Sequence, residues 1–438
     1  MRYILILLLT FVFIGCSVKQ ESLTKELQTN VIPNDLLRVP QNIEYYTKSY
    51  KEDKLYDIQK EYEKSYFGMW NIQKPKETLE EIKWPFRSFS ASKNYGENLL
   101  PIKKEFLDKM YEKSNFDNYQ TLNKKGLTIK YSDIRALPTS KPLLLDPSLA
   151  GEGFPFDYLQ NSSVNANEPL FISHYSKDKQ WVFVFTSFTF GWLKSDEVVL
   201  IDDKYTSNWQ DAKQVFITKE DVPLYTSSGE PLFNTRIGML FALVDETEDN
   251  YTILTVSSSG SKAIYNKSVI SKTIASKEIL LLSENNLNNI IKEISKTNYG
   301  WGGIYEQRDC SSMLMDMYAA FGIWLPRNSS HQRHIGKIID LSKLNDTQKI
   351  IAIKEKAIPF QTLLYKKGHI VLYVGLYEDE IIVFHNTWGV KTKLDNKEGR
   401  FIVGKPVFST LKLGKEIVGY DKDAELLKNI KSMNIITR

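Results

Sequence analysis

The chain has 438 residues, 42% of them hydrophobic and 25% charged, with a formal net charge of +4. That composition excludes a chain disordered throughout, and so mild a positive balance excludes a nucleic-acid binder recognised by its charge. Two cysteines exclude a disulfide framework, while 24 tyrosines are more than a plain helical bundle needs and suit β-rich domains.

In chain order, Arg2 and the apolar run Tyr3 to Gly15 predict an export signal over residues 1–15, because the run has the length of a signal core and is too short to span a bilayer. Phe13-Ile-Gly-Cys16 resembles a bacterial lipobox, with phenylalanine in place of the usual leucine. The resemblance implies lipidation of Cys16, a tether over 16–30, attachment to the membrane through the N-terminal lipid and, with Ser17 rather than aspartate next, residence at the outer membrane facing the periplasm. An ordinary signal peptide with an incidental cysteine is the alternative. No later run is long enough to cross a bilayer.

Residues 31–126 read as a helical N-terminal domain, with helical spacing over Tyr45 to Tyr66 and Asn94 to Tyr111 and aromatic anchors at Trp70, Trp84, Phe86 and Phe89. The texture changes near Leu127. Short alternating runs (Leu127 to Tyr131, Pro169 to His174, Trp181 to Phe185, Gly191 to Leu193, Val198 to Ile201) predict a small β-barrel over 127–205. Val222 to Tyr225, Gly238 to Val244 and Tyr251 to Val256 predict a second barrel over 206–283. Residues 284–438 are read as a last domain. In it a helix over Glu284 to Ser295 leads into a loop, and a second helix follows with Leu314, Met317, Tyr318 and Phe321 on one face and Gly322 at its stop. Strands follow over Ile370 to Leu376, Glu380 to Phe384 and around Arg400 to Val403, an α+β arrangement.

The loop is Tyr299-Gly-Trp-Gly-Gly-Ile-Tyr-Glu-Gln-Arg-Asp-Cys310-Ser-Ser. Cys310 has no disulfide partner once Cys16 closes the signal, and polar neighbours flank it, so it is a candidate nucleophile rather than an inert core cysteine. With Asp309 as N-cap, Cys310 opens a helix whose N-terminus is expected to stabilise the thiolate and to offer N–H groups to an oxyanion. That expectation predicts alkylation of Cys310 faster than a free thiol at mildly acidic pH. Five histidines could serve as base. His174 reads as a surface residue of the first barrel. His331 and His334 lack the companions of a metal site, and no metal or other cofactor is expected. His369 and His385, on consecutive strands, can form a base and its orienting partner, with Asn386 as the rival third member.

Tyr-Gly-Trp-Gly-Gly, Asp-Cys-Ser, Leu325-Pro-Arg-Asn-Ser-Ser-His-Gln332 and Gly368-His-Ile-Val-Leu-Tyr-Val-Gly375 together resemble the NlpC-type, papain-like cell-wall peptidases over about residues 285 to 408. Ile134-Arg-Ala-Leu-Pro-Thr139, Gly151-Glu-Gly-Phe-Pro-Phe-Asp-Tyr-Leu-Gln160 and Gly191-Trp192 resemble the first barrel of the subfamily with a helical N-terminal domain and two Src-homology-3-like barrels. The resemblance implies a multidomain α+β fold: a helical N-terminal region, two small SH3-like β-barrels and a C-terminal papain-like α+β peptidase domain. It implies hydrolysis of peptidoglycan stem peptides between D-glutamate, through its γ-carboxyl, and a diamino acid; the chain is expected to be a monomer and, from its mild charge, to bind no nucleic acid. Carried onto this chain, Cys310 is nucleophile, His369 base and His385 third member. Tyr299 and Trp301 line the cleft, Asp309 and Ser311 contact substrate, and Asp157 and Tyr158 of the first barrel restrict substrate length. The alternative for the last pair is that Asp157 caps a turn and Tyr158 packs in the barrel. Two other classes stay open: a lipid-anchored peptidoglycan-binding scaffold without activity, and a papain-like amidase or acyltransferase on another substrate.

Two features depart from the family pattern. Ser312 stands where glycine is common, and the turn-like residues Glu378-Asp-Glu380 imply a hairpin centred on Asp379 that would pair His385 with Tyr373 rather than His369. A long strand, a bulge or a shifted register must bring the two histidines together.

Overall fold

The N-terminal region is built from short helices. In the computed structural model, which describes residues 32–48, 50–51 and 58–437, the helices Asn34–Arg38, Glu44–Thr47, Ile58–Tyr66, Leu79–Ile82, Trp84–Ser88 and Lys104–Lys113 are joined by long connections. Arg2, Cys16 and the tether lie outside the described residues. The helix expected from Asn94 begins only at Lys104. Leu99 takes a left-handed φ, and Tyr95 exchanges hydrogen bonds with Leu144 (2.9 and 2.8 Å), so residues 94–103 dock on the following barrel instead of coiling. From Pro33 onward the chain is one compact unit.

Seven strands between Lys124 and Leu200 form the first antiparallel barrel sheet, and five strands between Gln214 and Ser276 form the second. A helix unforeseen in the sequence, Asp203–Asp211, separates them; Asp202 caps it by accepting from the Tyr205 N–H. Another unforeseen element is the strand Lys262–Ser271, whose polar composition hides its ten-residue pairing with Asn250–Ser259. The aromatic anchor Trp70 packs in one apolar cluster with Leu127 of the first barrel, Phe241 of the second and Ala319 of the C-terminal domain.

The C-terminal domain sets helices against a six-stranded antiparallel sheet. Helix α1 (Glu284–Ile294) precedes α2 (Cys310–Ala319), and the strands are β1 (Lys337–Asp340), β2 (Thr362–Lys366), β3 (His369–Tyr377), β4 (Glu380–Leu394), β5 (Lys397–Thr410) and β6 (Ser432–Ile435), in the order β1-β6-β2-β3-β4-β5. Leu314, Met317, Tyr318 and Phe321 pack against Ile370, Leu372 and Val374 of β3 and against Ile290 of α1. Strands β4 and β5 are far longer than expected. Their hairpin reaches beyond the sheet, where the Arg400 guanidinium lies beside Gly151 of the first barrel; a Cβ there would stand 3.2 Å from Arg400 Nε.

Candidate active site

Cys310 is the first residue of α2, and its position follows from local capping. The Asp309 carboxylate accepts from the N–H groups of Ser311 (3.1 Å) and Ser312 (2.9 Å), while Ser312 Oγ accepts from the Asp309 N–H (2.9 Å), a closed capping box. Arg327, from the Leu-Pro-Arg motif, donates to both Asp309 oxygens and to Ser311 Oγ, and Gln332 donates to the Ser311 carbonyl. Asp309 and Ser311, expected to contact substrate, are buried in this network and brace the start of the helix that Cys310 opens. The loop before them crosses the first barrel closely. At Gly302 a Cβ would stand 2.6 Å from the Gln160 carbonyl, and at Gly303 it would collide with Ser163; both glycines have left-handed φ.

The histidine register is resolved by a bulge. Glu378 and Asp379 both have positive φ and form a two-residue turn, with Tyr377 paired to Glu380. Continued without interruption, that register would pair His385 with Leu372 and leave His369 on the opposite face of the sheet. An extra residue between Tyr373 and Gly375 shifts it, so that Leu372 faces Phe384 and His385 falls opposite Val371. Since alternate residues share a face, His369 and His385 become diagonal neighbours, with His369 Nε2 2.9 Å from His385 Nδ1.

Hydrogen-bond direction sets the tautomers. Ser409 Oγ donates to the Thr410 carbonyl (2.9 Å), so it accepts from His385 Nε2 (3.0 Å). A neutral imidazole has one donor and one acceptor nitrogen. His385 Nδ1 therefore accepts from His369 Nε2–H, which leaves a lone pair on His369 Nδ1. Asn386, the rival third member, instead donates to the Arg308 (2.8 Å) and Asn298 (3.3 Å) carbonyls and braces the cysteine loop.

The resting electrostatics differ from the sequence expectation. Burial pushes the Cys310 thiol up to about 12, and the neighbouring Asp309 carboxylate adds to that; the Ile370 N–H and Arg327 oppose it without winning. Burial also pulls His369 well below its ordinary value and His385 down to about 3. Asp309 occupies two of the helix N-terminal amides, so the helix end stabilises a thiolate less than its position alone suggests. The resting pair is neutral thiol and neutral imidazole, not an ion pair. Iodoacetamide is accordingly expected to label Cys310 at pH 7 at least about ten-fold more slowly than free cysteine, with a rate still rising at pH 9; a plateau below pH 8 in the rate profile counts against the neutral pair.

Tyr299, which lies within the field of the Cys310 sulfur, continues through Trp388, Phe156, Trp301 and Tyr158 as an aromatic wall to which the first barrel contributes two rings. Ring centroids lie 5.3 Å apart for Phe156 and Trp301, 5.5 Å for Tyr158 and Trp301, and 5.9 Å for Tyr299 and Trp388. Trp301 Nε1 donates to the Asp157 carbonyl (3.0 Å). The Asp157 carboxylate turns into the barrel, where it pairs with Arg135 (2.7 Å) and accepts from the Leu143 and Leu159 N–H groups, the turn-capping role. Tyr158 is half-buried against the wall. His174, expected at the surface, is only 1% exposed: helical residues of the N-terminal domain cover its strand, and its Nε2 lies 3.1 Å from the Ser114 carbonyl. No group of three or more His, Cys, Asp or Glu among the described residues could hold a metal ion, and none of their helices is long and apolar enough to cross a membrane.

Arg308, one of the polar residues beside Cys310, ties the cysteine loop to two other elements. It is 1% exposed and donates to Asp316 of α2 (2.7 Å) and, from the second barrel, to Glu220 (2.9 Å) and the Ile237 carbonyl (3.2 Å). Arg236 of that barrel donates to the Glu306 carbonyl. The second barrel thus grips the cysteine loop at both residues. A lone arginine two places before a cysteine carries no such signal in sequence.

A cysteine at a helix N-terminus, set against an antiparallel sheet that carries a hydrogen-bonded histidine pair, defines a papain-like cysteine hydrolase. Residues 296–402 match the NlpC/P60 family; residues 5–119 match the NLPC_P60 N-terminal stabilising domain, 142–194 the SH3 domain of SH3b1 type and 202–248 the SH3 domain of SH3b2 type. The chain belongs to the NlpC/P60 family, in its architecture of N-terminal domain, two SH3-like domains and C-terminal peptidase domain, and is a cysteine-peptidase type of hydrolase. Its fold is similar to that of an NlpC/P60 endopeptidase from Photobacterium damselae subsp. piscicida (22% identity, TM-score 0.79, covering 91% of this chain and 98% of that one). A second similar structure is an NlpC/P60 family protein from Bacillus cereus ATCC 10987 (14% identity, TM-score 0.49, covering 72% and 100%). No curated protein matches the chain.

Proposed function

We propose that this protein hydrolyses peptidoglycan stem peptides at the amide between the γ-carboxyl of D-glutamate and the diamino acid. The observation that carries the reading is the hydrogen-bonded His369–His385 pair on strands packed against the helix that Cys310 opens, beside a wall of aromatic rings from two domains. His369 Nδ1 takes the Cys310 proton as the sulfur attacks the amide carbonyl. The Cys310 N–H makes no hydrogen bond among the described residues and is placed to donate to the oxyanion. The imidazolium then protonates the leaving amine, and a water activated by the same nitrogen releases the acyl-enzyme. Tyr299, Trp301 and Tyr158 pack against the peptide, and Asp309 and Ser311 act through the placement of Cys310. Export, lipidation at Cys16 and residence at the outer membrane complete the proposal, supported by the N-terminal sequence.

The test is a mass-spectrometric digest of defined tri-, tetra- and pentapeptide muropeptides. The wild type is expected to release fragments cut at the γ-D-glutamyl bond and Cys310→Ala to release none. Binding without cleavage by the wild type supports the scaffold reading; indifference to every muropeptide points to an amidase or acyltransferase acting elsewhere.

A further inference from the structure

Lys366 ends β2 and pairs directly with His369 across the two-residue turn Lys367-Gly368. Directly paired residues share a face of the sheet, so Lys366 stands on the face that carries His369 and His385. It is half-buried, yet no carboxylate and no hydrogen-bond acceptor meets its ammonium among the described residues. The other cations nearby are Arg400 and Lys391, themselves paired across β4 and β5. Lys391 has its own anions, Glu398 at 2.5 Å and Asp421 at 3.5 Å. Among the described residues Arg400 donates only to the Gly399 carbonyl, and it lies beneath Gly151 of the first barrel. Among the described residues Lys366, on the face of the histidine pair, therefore lacks a counter-charge, while Arg400 shares the Glu398 carboxylate with Lys391; an unpaired, half-buried ammonium there favours a bound anion. Burial and the Arg400 charge lower the Lys366 pKa, while the sulfur opposes them, so Lys366 lies within the field of both Arg400 and Cys310.

We infer that Lys366, supported by Arg400, forms a carboxylate subsite that reads a free carboxylate of the peptide next to the scissile amide. The inference rests on the peptide-hydrolase reading above and names what selects the substrate. A γ-linked glutamyl residue keeps its α-carboxylate free on one side of the amide, and the diamino acid carries another on the leaving side. Either matches an ammonium and a guanidinium as a charge-assisted hydrogen-bond partner.

Two measurements test it. The first needs no substrate: Cys310 is alkylated at pH 9 by iodoacetate and by iodoacetamide, and the ratio of the two rates is compared with that of free cysteine. Both reagents use the same thiolate, so the ratio reports only the charge that receives them. It is expected to exceed the free-cysteine ratio by about ten-fold, to collapse toward it in Lys366→Met and to survive in Lys366→Arg. Equal ratios in wild type and K366M overturn the subsite, as does a Lys366 that merely tunes the histidines, which would move both rates together. The second compares cleavage of γ-D-glutamyl–diamino acid peptides as free acids, as the glutamyl α-carboxamide and as the diamino acid amide. The amide that loses rate in the wild type identifies which carboxylate is read, and its free-acid-to-amide ratio is expected to fall about ten-fold or more in K366M. If both amides are cut as fast as the free acids, the subsite is refuted. A wild type that cuts none of the peptides yet keeps its iodoacetate preference refutes the cell-wall assignment and leaves the anion subsite standing.

Discussion

His385→Ala is expected to lower kcat by roughly 10³-fold with little change in KM, on the scale of losing an oriented acid–base group. The reason lies in the chain of donors from His369 to His385, Ser409 and the Thr410 carbonyl. Without the His385 acceptor, His369 is free to carry its proton on Nδ1, the nitrogen that must accept from the thiol. The imidazolium formed during attack also loses the partner that holds its Nε2–H. His385→Asn restores an acceptor oxygen at that position and is expected to recover part of the loss. Steady-state kinetics on a muropeptide decides the matter: a His385→Ala enzyme within ten-fold of wild-type kcat removes His385 from the mechanism. Ser409→Ala, which unlocks only the far end of the chain, is expected to cost less than His385→Ala.

The second large effect is on stability. Arg308→Met is expected to destabilise the protein by about 3–5 kcal/mol, because it strands two buried carboxylates rather than removing a complete pair. Glu220 is fully enclosed and also accepts from the Ile237 N–H, so its position is held by the second barrel after the arginine is gone. Asp316 already has its pKa raised by burial, with Arg308 the main opposing charge. The variant is expected to unfold at clearly lower denaturant concentration than wild type and to lose activity, since Arg308 lies two residues before the nucleophile. Glu220→Gln keeps an oxygen for the Ile237 N–H and is expected to cost less. Unfolding curves for R308M that superimpose on those of the wild type contradict the proposed grip of the second barrel on the cysteine loop.

Much of this architecture was legible because it rests on local signals. The apolar face of α2, the stop at Gly322 and the Asp309 cap are properties of consecutive residues, and the helix runs from Cys310 to Ala319. The first barrel's strands showed in alternating β-branched and aromatic residues. What stayed hidden was encoded by partners distant in the chain. The strand Lys262–Ser271 is polar because one of its faces meets solvent, so its pairing with Asn250–Ser259 has no periodic mark. His174 carries no sign of the helical residues that cover it. Lys366 reads as an ordinary surface lysine until its pairing with His369 is known.

By itself the sequence determined that one thiol stands after an aromatic glycine loop and at the start of a helix, with histidines on the strands that follow. Residue type and local spacing are sufficient for that. Only the tertiary structure decided which histidine nitrogen is free, because that depends on a bulge in β3 and on Ser409, and only it revealed that the thiol rests protonated. A pKa is set by how much water the surrounding domains exclude and by which charges they bring near, and neither quantity is written in the order of residues along the chain.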